Sequence, residues 1–290
     1  MIYSSGADYL ASGTKRVLLF GMSGLGKTTL ASMLRTQASW FHYSVDYRIG
    51  TRYMDEYISD NFKREAMKVP LLRELMLSDS VYIASNITFD NLAPLSTYLG
   101  KPGDAARGGL PFTEYQRRQE QHRGAEVSAL LDTARFIDRA QDIYGYRHFV
   151  CDTSGSICEV VDGADPNDPT IKAMAENMLL VWIKGSDDHS AELARRFDRA
   201  PKPMYYRPEF LMQVWGEFLA QTGASAEAAD PDAFLRFGYA RLLDARGPRY
   251  HAMARWGVTV TAGQVEAART PAAFDAMIAS AIDRAAHDLM

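Results

Sequence analysis

Short apolar runs recur along the chain, each closed by small or polar residues. Lys15 to Phe20 (KRVLLF) runs into Gly21 as a buried strand would, and Lys27 to Gln37 then reads as a helix. Trp40 to Val45 is a second strand, followed by an amphipathic stretch to about Met67. Arg147 to Cys151 (RHFVC) and Met178 to Ile183 (MLLVWI) are the third and fourth strands. A helix over Asp188 to Arg199 follows the capping-type residues Ser186 and Asp187. Gly257 to Thr261 is a fifth strand, and Pro271 to Leu289 a closing helix.

Strands alternating with helices predict an α/β fold, a five-stranded parallel sheet with helices on both faces. The stretch from Ala66 to Arg147 is too long for one crossover. It holds a Pro/Gly-rich loop, Pro94 to Pro111, and a helical pattern over Thr113 to Ile143. The expected organisation is therefore a core of residues 1–65 and 148–290 with a helical insertion, 66–147, that caps the substrate. A second helical expansion covers Glu209 to Leu243. No internal repeat is found.

Composition narrows the classes. A chain of 290 residues, 47% hydrophobic, can bury a substantial core. The net charge of -4 argues against a nucleic-acid or anionic-membrane binder. No apolar run reaches bilayer-spanning length, and the first fifteen residues lack a secretory layout. Two cysteines, Cys151 and Cys158, without ligand clusters around them, fit a reducing cytoplasm better than a disulfide or zinc framework. The six histidines are scattered, with no paired-ligand spacing.

The strongest chemistry follows the first strand. Gly21, Met22, Ser23, Gly24, Leu25, Gly26, Lys27 and Thr28 satisfy G-x-x-x-x-G-K-[ST], with Thr29 next. Glycines in such a loop let backbone N–H groups turn inward around phosphates. Lys27 supplies charge at the β- and γ-phosphates, the Thr28 hydroxyl ligates magnesium, and the helix start adds its positive dipole end. With a strand before and a helix after, this is a P-loop NTPase fold that takes ATP with Mg2+. Asp152, closing the third strand, is placed to hold that magnesium or to orient a nucleophile; an ordinary strand-end turn aspartate is the alternative. Asp152-Thr-Ser-Gly155 also fits the D-x-x-G of GTPase switches, but the guanine-reading [NT]-K-x-D is missing after Ile183.

Beyond the loop, the chain resembles shikimate kinase and related small-molecule kinases. Phe41-His-Tyr-Ser-Val-Asp46 with Phe62-Lys-Arg-Glu65 is similar to that family's strand ending in Asp-x-Asp and its F-R-x-x-E stretch. Leu179 to Ile183, with Glu192, Arg195, Arg196 and Lys202-Pro-Met204, is similar to its strand, Arg-Arg helix and lid. Ala245-Arg-Gly-Pro-Arg-Tyr250 looks like its R-x-P-x-Y stretch. The resemblance implies that Asp46 accepts or orients the proton of an attacking hydroxyl, and that Arg64 and Arg246 grip a substrate carboxylate. It implies that Arg195 and Arg196 reach over the adenine, and that Lys202, or Arg199 in its place, neutralises the phosphoryl group in transit. The bland alternatives are a helix-capping Asp46, surface ion pairs for Arg195 and Arg196 with Glu192, and solvated arginines at 64 and 246.

Two departures stand out. Ser44 occupies the place of the first aspartate, and Thr153-Ser-Gly-Ser156 replaces a glycine triplet. Ser154 and Gly155 thus line a differently shaped substrate pocket, and Asp152 takes over the magnesium. Two functions stay open: a kinase acting on a hydroxyl of a small molecule, and an ATPase switch whose 66–147 insertion binds a protein partner. The charged run Glu114 to Arg123 reads as a solvated helix face. Tyr205, Tyr206 and Phe210 read as packing.

Overall fold

The computed structural model describes residues 1–287. In chain order the helices and strands are α1 (Gly6–Ala11), β1 (Arg16–Phe20), α2 (Lys27–Ala38), β2 (Trp40–Ser44), α3 (Val45–Arg48), α4 (Asp55–Ala66), α5 (Pro70–Leu77), α6 (Ala93–Leu99), α7 (Phe112–Tyr144) and β3 (His148–Asp152). There follow α8 (Ile157–Val160), α9 (Pro169–Asn177), β4 (Leu179–Lys184), α10 (Asp187–Arg199), α11 (Pro208–Thr222), α12 (Pro231–Ala254), β5 (Val258–Thr261), α13 (Ala262–Ala267) and α14 (Pro271–His287). A π-helical turn, Ile49–Tyr53, joins α3 to α4. The expected end of the closing helix, Asp288 and Leu289, lies outside the described residues.

Among the described residues five strands form one all-parallel sheet in the order β2-β3-β1-β4-β5. This is the α/β sheet expected from the pattern. The chain leaves β1 in one direction, towards β2 beyond β3, and leaves β3 in the other, towards β4. Right-handed crossovers of opposite direction put helices on opposite faces. Val17, Leu18, Leu19 and Phe20 are accordingly all buried, as a strand covered on both sides requires. On one face, Leu30 and Leu34 of α2, Val265 of α13 and Phe274 and Ile278 of α14 pack with Val17, Leu19, Val181 and Ile183. On the other, Tyr43 meets Phe136 of α7 at 5.1 Å between ring centroids. Trp182 meets His251 of α12 at 4.6 Å.

The chain divides into two compact units. The first comprises Met1–Val45, Glu126–Ala200 and everything from Tyr239 onward, and contains the sheet. The second comprises Asp46–Ala125 and Pro201–Gly238, and is helical. Helices α7 and α12 each run from one into the other. Within the second unit, Trp215 stacks on Phe112 and meets Phe234 edge-on, both at 4.8 Å. The Gln119 side chain donates to the Met204 carbonyl (3.1 Å) and accepts from the Tyr206 amide (2.9 Å), tying α7 to the segment before α11.

Three readings of the pattern need correction. The Pro/Gly-rich stretch is not all loop, because Pro94 sits in the first turn of α6, where proline lacks no needed donor. Helix α12 does not stop near Leu243: it continues through Gly247 and Pro248 to Ala254. Helical hydrogen bonds around the proline and burial of Tyr250 and Met253 outweigh its local penalty. Nor is Glu114 to Arg123 a solvated face throughout. Arg118, Gln119 and His122 are buried, and Arg118 bonds Glu114, the Tyr98 carbonyl (2.5 Å) and Asn61 (3.0 Å).

Candidate active site

The loop between β1 and α2 has the backbone that a phosphate cradle needs. Gly21, Gly24 and Gly26 hold φ values of 142°, 82° and 86°, which side-chain-bearing residues rarely adopt. A Cβ on Gly21 would lie 2.6 Å from the Ile183 carbonyl oxygen, so only glycine lets the loop close on β4. Gly26 occupies the N-cap position of α2 and gives no side-chain cap, which leaves the helix start open to an anion. Lys27 is buried, and its ammonium donates to the carbonyls of Gly21 (2.8 Å) and Met22 (2.9 Å). Ser23, Gly24, Thr28 and Thr29 are exposed along the rim.

Parallel register brings the next group in. Asp152 pairs with Leu19 of β1 and with Ser44 of β2, so its carboxylate emerges at the carboxyl end of the sheet next to the loop. The Thr28 hydroxyl donates to Asp152 Oδ2 at 2.6 Å. His42 Nε2 lies 3.7 Å from the same oxygen, and both side chains are buried. A hydroxyl and a carboxylate this close form a hard-oxygen donor pair of the kind magnesium takes, with phosphate oxygens and water completing its shell. The residues present therefore fit a magnesium–triphosphate complex: Thr28 and Asp152 would hold the cation, and Lys27 with the loop amides the phosphates.

The segment after Asp152 rests on the cradle. A Cβ on Gly155 would fall 2.4 Å from Ser23 Oγ and 3.2 Å from its amide nitrogen, so this glycine is set by close approach. The Tyr250 hydroxyl donates to the Gly155 carbonyl at 2.7 Å. Ser154 and Ser156 donate to the two oxygens of Glu126, the latter at 2.8 Å. Thr153 donates to the Leu19 carbonyl at 3.0 Å.

The basic residues fall into different settings. Arg246 is buried and pairs with Glu159 at 3.1 Å; Arg249 pairs with the other oxygen of the same carboxylate, so Glu159 of α8 lies between two guanidinium groups. Arg195 and Arg196 are exposed and both bond Glu192, at 2.9 and 2.8 Å. They also line a cleft of about 400 Å³ with Ser23, Gly24, Leu25 and His189. A neighbouring cavity of about 390 Å³ touches the same loop from the side of Leu30, Met33, Ala262 and Val265. Arg199 is exposed in the last turn of α10. The acid Asp46 and the bases Arg64 and Lys202 belong to the second unit. Asp46 lies in the first turn of α3, Arg64 is exposed on α4, and Lys202 is exposed after α10.

Glu126 and Glu159 escape a reading of motifs, and the motif stretches that contain His42 and Tyr250 give those two no role. A signal for Glu126 does exist. It interrupts the buried stripe Ala125, Ala129, Leu130, Thr133, Ile137 and Ala140 of α7, and a carboxylate inside an apolar stripe needs a partner.

No protein-family model and no curated protein matches the sequence. Among solved structures, the crystal structure of shikimate kinase from Bacteroides thetaiotaomicron aligns over 95% of this chain and 98% of its own, at 16% identity and a TM-score of 0.36. A likeness of that degree carries no argument about activity. The assignment made from the chain itself is that a parallel 2-3-1-4-5 sheet with a glycine-framed phosphate loop after its central strand has a P-loop NTPase fold.

Proposed function

We propose that the protein is an ATP- and magnesium-dependent phosphotransferase that moves the γ-phosphoryl group to a hydroxyl of a small molecule. The observation that carries it is the Thr28–Asp152 pair at 2.6 Å beside the uncapped start of α2, with the Lys27 ammonium in the loop. In this reading the loop amides and Lys27 bind the β- and γ-phosphates. Magnesium, when bound by Thr28 and Asp152, neutralises charge that develops between them. The acceptor oxygen forms a bond to the γ-phosphorus while the bridging P–O bond to ADP breaks, and the hydroxyl proton passes to Asp46. Arg199 and Lys202 offset charge on the moving group. Arg195 and Arg196 line the cleft for base and ribose, where a guanidinium can stack. Arg64 and Arg246 are the proposed grip on an acceptor carboxylate; the Glu159 pair means that Arg246 must exchange partners to serve. Residues 66–147 are the proposed cap, excluding water from the γ-phosphate.

A cytoplasmic setting belongs to the same proposal, consistent with two free buried cysteines. Among the described residues no helix is long and apolar enough to cross a membrane. One observation favours a second reading, an ATPase switch that acts on a protein partner through 66–147: the Asp152–Gly155 segment lies directly on Ser23 of the phosphate loop. A panel of hydroxyl compounds scored by ADP release, with Lys27→Ala as control, separates the two. Stimulation by a small molecule that is lost in the control supports the kinase; stimulation only by a protein overturns it.

A further inference from the structure

Glu126 is fully buried on α7, and both of its carboxyl oxygens accept hydrogen bonds. Burying a carboxyl group is costly unless it is hydrogen-bonded, and apolar side chains would pack this stripe of α7 without that cost. The carboxylate instead meets two hydroxyls that lie two residues apart in one short loop. Ser154 donates to Oε1, and Ser156 donates to Oε2 at 2.8 Å. Between them is Gly155, whose carbonyl accepts from Tyr250 of α12 and whose Cα abuts Ser23. Ser154 and Ser156 are themselves buried. The Thr153–Ser156 loop is thus clasped from α7 on both sides of the glycine and pinned from α12 at the glycine itself. It is seated on the arc of the phosphate loop that precedes Lys27, where terminal phosphates are cradled.

We propose that Glu126 is a positioning residue of the nucleotide site. Through Ser154 and Ser156 it fixes the Thr153–Ser156 loop against Ser23, and so sets the preference of the phosphate loop for a triphosphate over a diphosphate. The proposal rests on the reading that Gly21–Thr28 binds magnesium–ATP. Its physical basis is rigidity. A loop held at three points keeps its backbone dipoles in place when a γ-phosphate is present, whereas a released loop must be ordered by the ligand. The diphosphate relies on Lys27 and the α2 amides and is spared.

The test uses the full-length protein, magnesium, and fluorescent ATP and ADP analogues, with folding monitored by circular dichroism. Glu126→Ala is expected to weaken the ATP analogue about tenfold, the lower end of what losing a supporting contact costs, with the ADP analogue within about twofold. Glu126→Gln, whose amide oxygen still accepts one hydroxyl, is expected to recover most of the loss. The single substitution Ser156→Ala leaves Ser154 donating to Glu126 and is expected to reproduce part of the Glu126→Ala loss for the ATP analogue alone, which keeps the test decisive where Glu126→Ala does not fold. Equal losses for both analogues in the folded variants, or none for either, overturn the proposal. Failure of the unsubstituted protein to bind either analogue overturns instead the reading of the phosphate loop on which it stands.

Discussion

Asp152 Oδ2 receives the Thr28 hydroxyl at 2.6 Å and lies 3.7 Å from His42 Nε2. One buried oxygen thus faces the hydroxyl of the phosphate loop and a ring from β2. Asp152→Asn keeps an oxygen that can accept from Thr28 but removes the negative charge. The magnesium concentration for half-maximal nucleotide binding is expected to rise about 10- to 100-fold, with thermal stability little changed. An unaltered magnesium titration sinks the assignment of Asp152 as a metal ligand. Arg195 and Arg196 call for a smaller effect. Both are already engaged by Glu192 on the helix surface, and such exposed pairs contribute little to stability. Replacing both with alanine should raise the Kd for ATP while leaving the melting temperature in place.

Two elements act as rigid supports. The β1–α2 loop closes because Gly21 approaches the Ile183 carbonyl, and the β3–α8 loop closes on it because Gly155 approaches Ser23. Gly155→Ala puts a methyl group against the Ser23 hydroxyl, which can rotate, and against its amide, which cannot. The expected result is weaker nucleotide binding with little loss of fold, and partial recovery in Gly155→Ala combined with Ser23→Gly. Additive effects in that double-substitution cycle rule out the contact as the cause. By contrast, Gly21→Ala meets backbone at a positive φ. It should cost on the order of 1–3 kcal/mol of stability by denaturant titration.

For the molecule as a whole, stability depends on pH through groups such as His122 and Glu114, both of the second unit. His122 is buried in the second unit, stacked on Tyr205 at 5.1 Å, and burial pushes its pKa from 6.5 down to about 4. Between those values the unfolded chain takes up a proton that the folded chain refuses. Stability therefore falls as pH drops from about 6.5 to about 4, and this group adds no further slope outside that window. Glu114 behaves as a lowered acid, held at about 2 chiefly by its hydrogen bond from Arg117. Its contribution is present above the ordinary carboxylate pKa and is lost as pH falls through about 2. Melting temperatures of His122→Phe, followed from pH 7 to pH 4, should show a shallower decline than the unsubstituted protein. Parallel curves would falsify the assignment of that slope to His122.

Local pattern alone determined much of this protein. Four- to six-residue apolar runs bounded by small or polar residues and separated by helical segments fit buried strands by their length, so the five parallel strands and the glycine-framed loop were legible in the sequence. The phosphate loop was legible because its chemistry is contiguous: glycine conformations, lysine and hydroxyl lie within eight residues. Tertiary structure decided what depends on register and facing. Asp152 meets Thr28 across 124 positions because β1 and β3 pair in parallel register. Glu126 meets Ser154 and Ser156 because one face of a 33-residue helix turns towards the β3–α8 loop. Arg246 meets Glu159 on the stretch of α12 beyond Leu243. Burial of a charge is a property of the packed whole, and no short window of sequence records which face of a helix the core will cover.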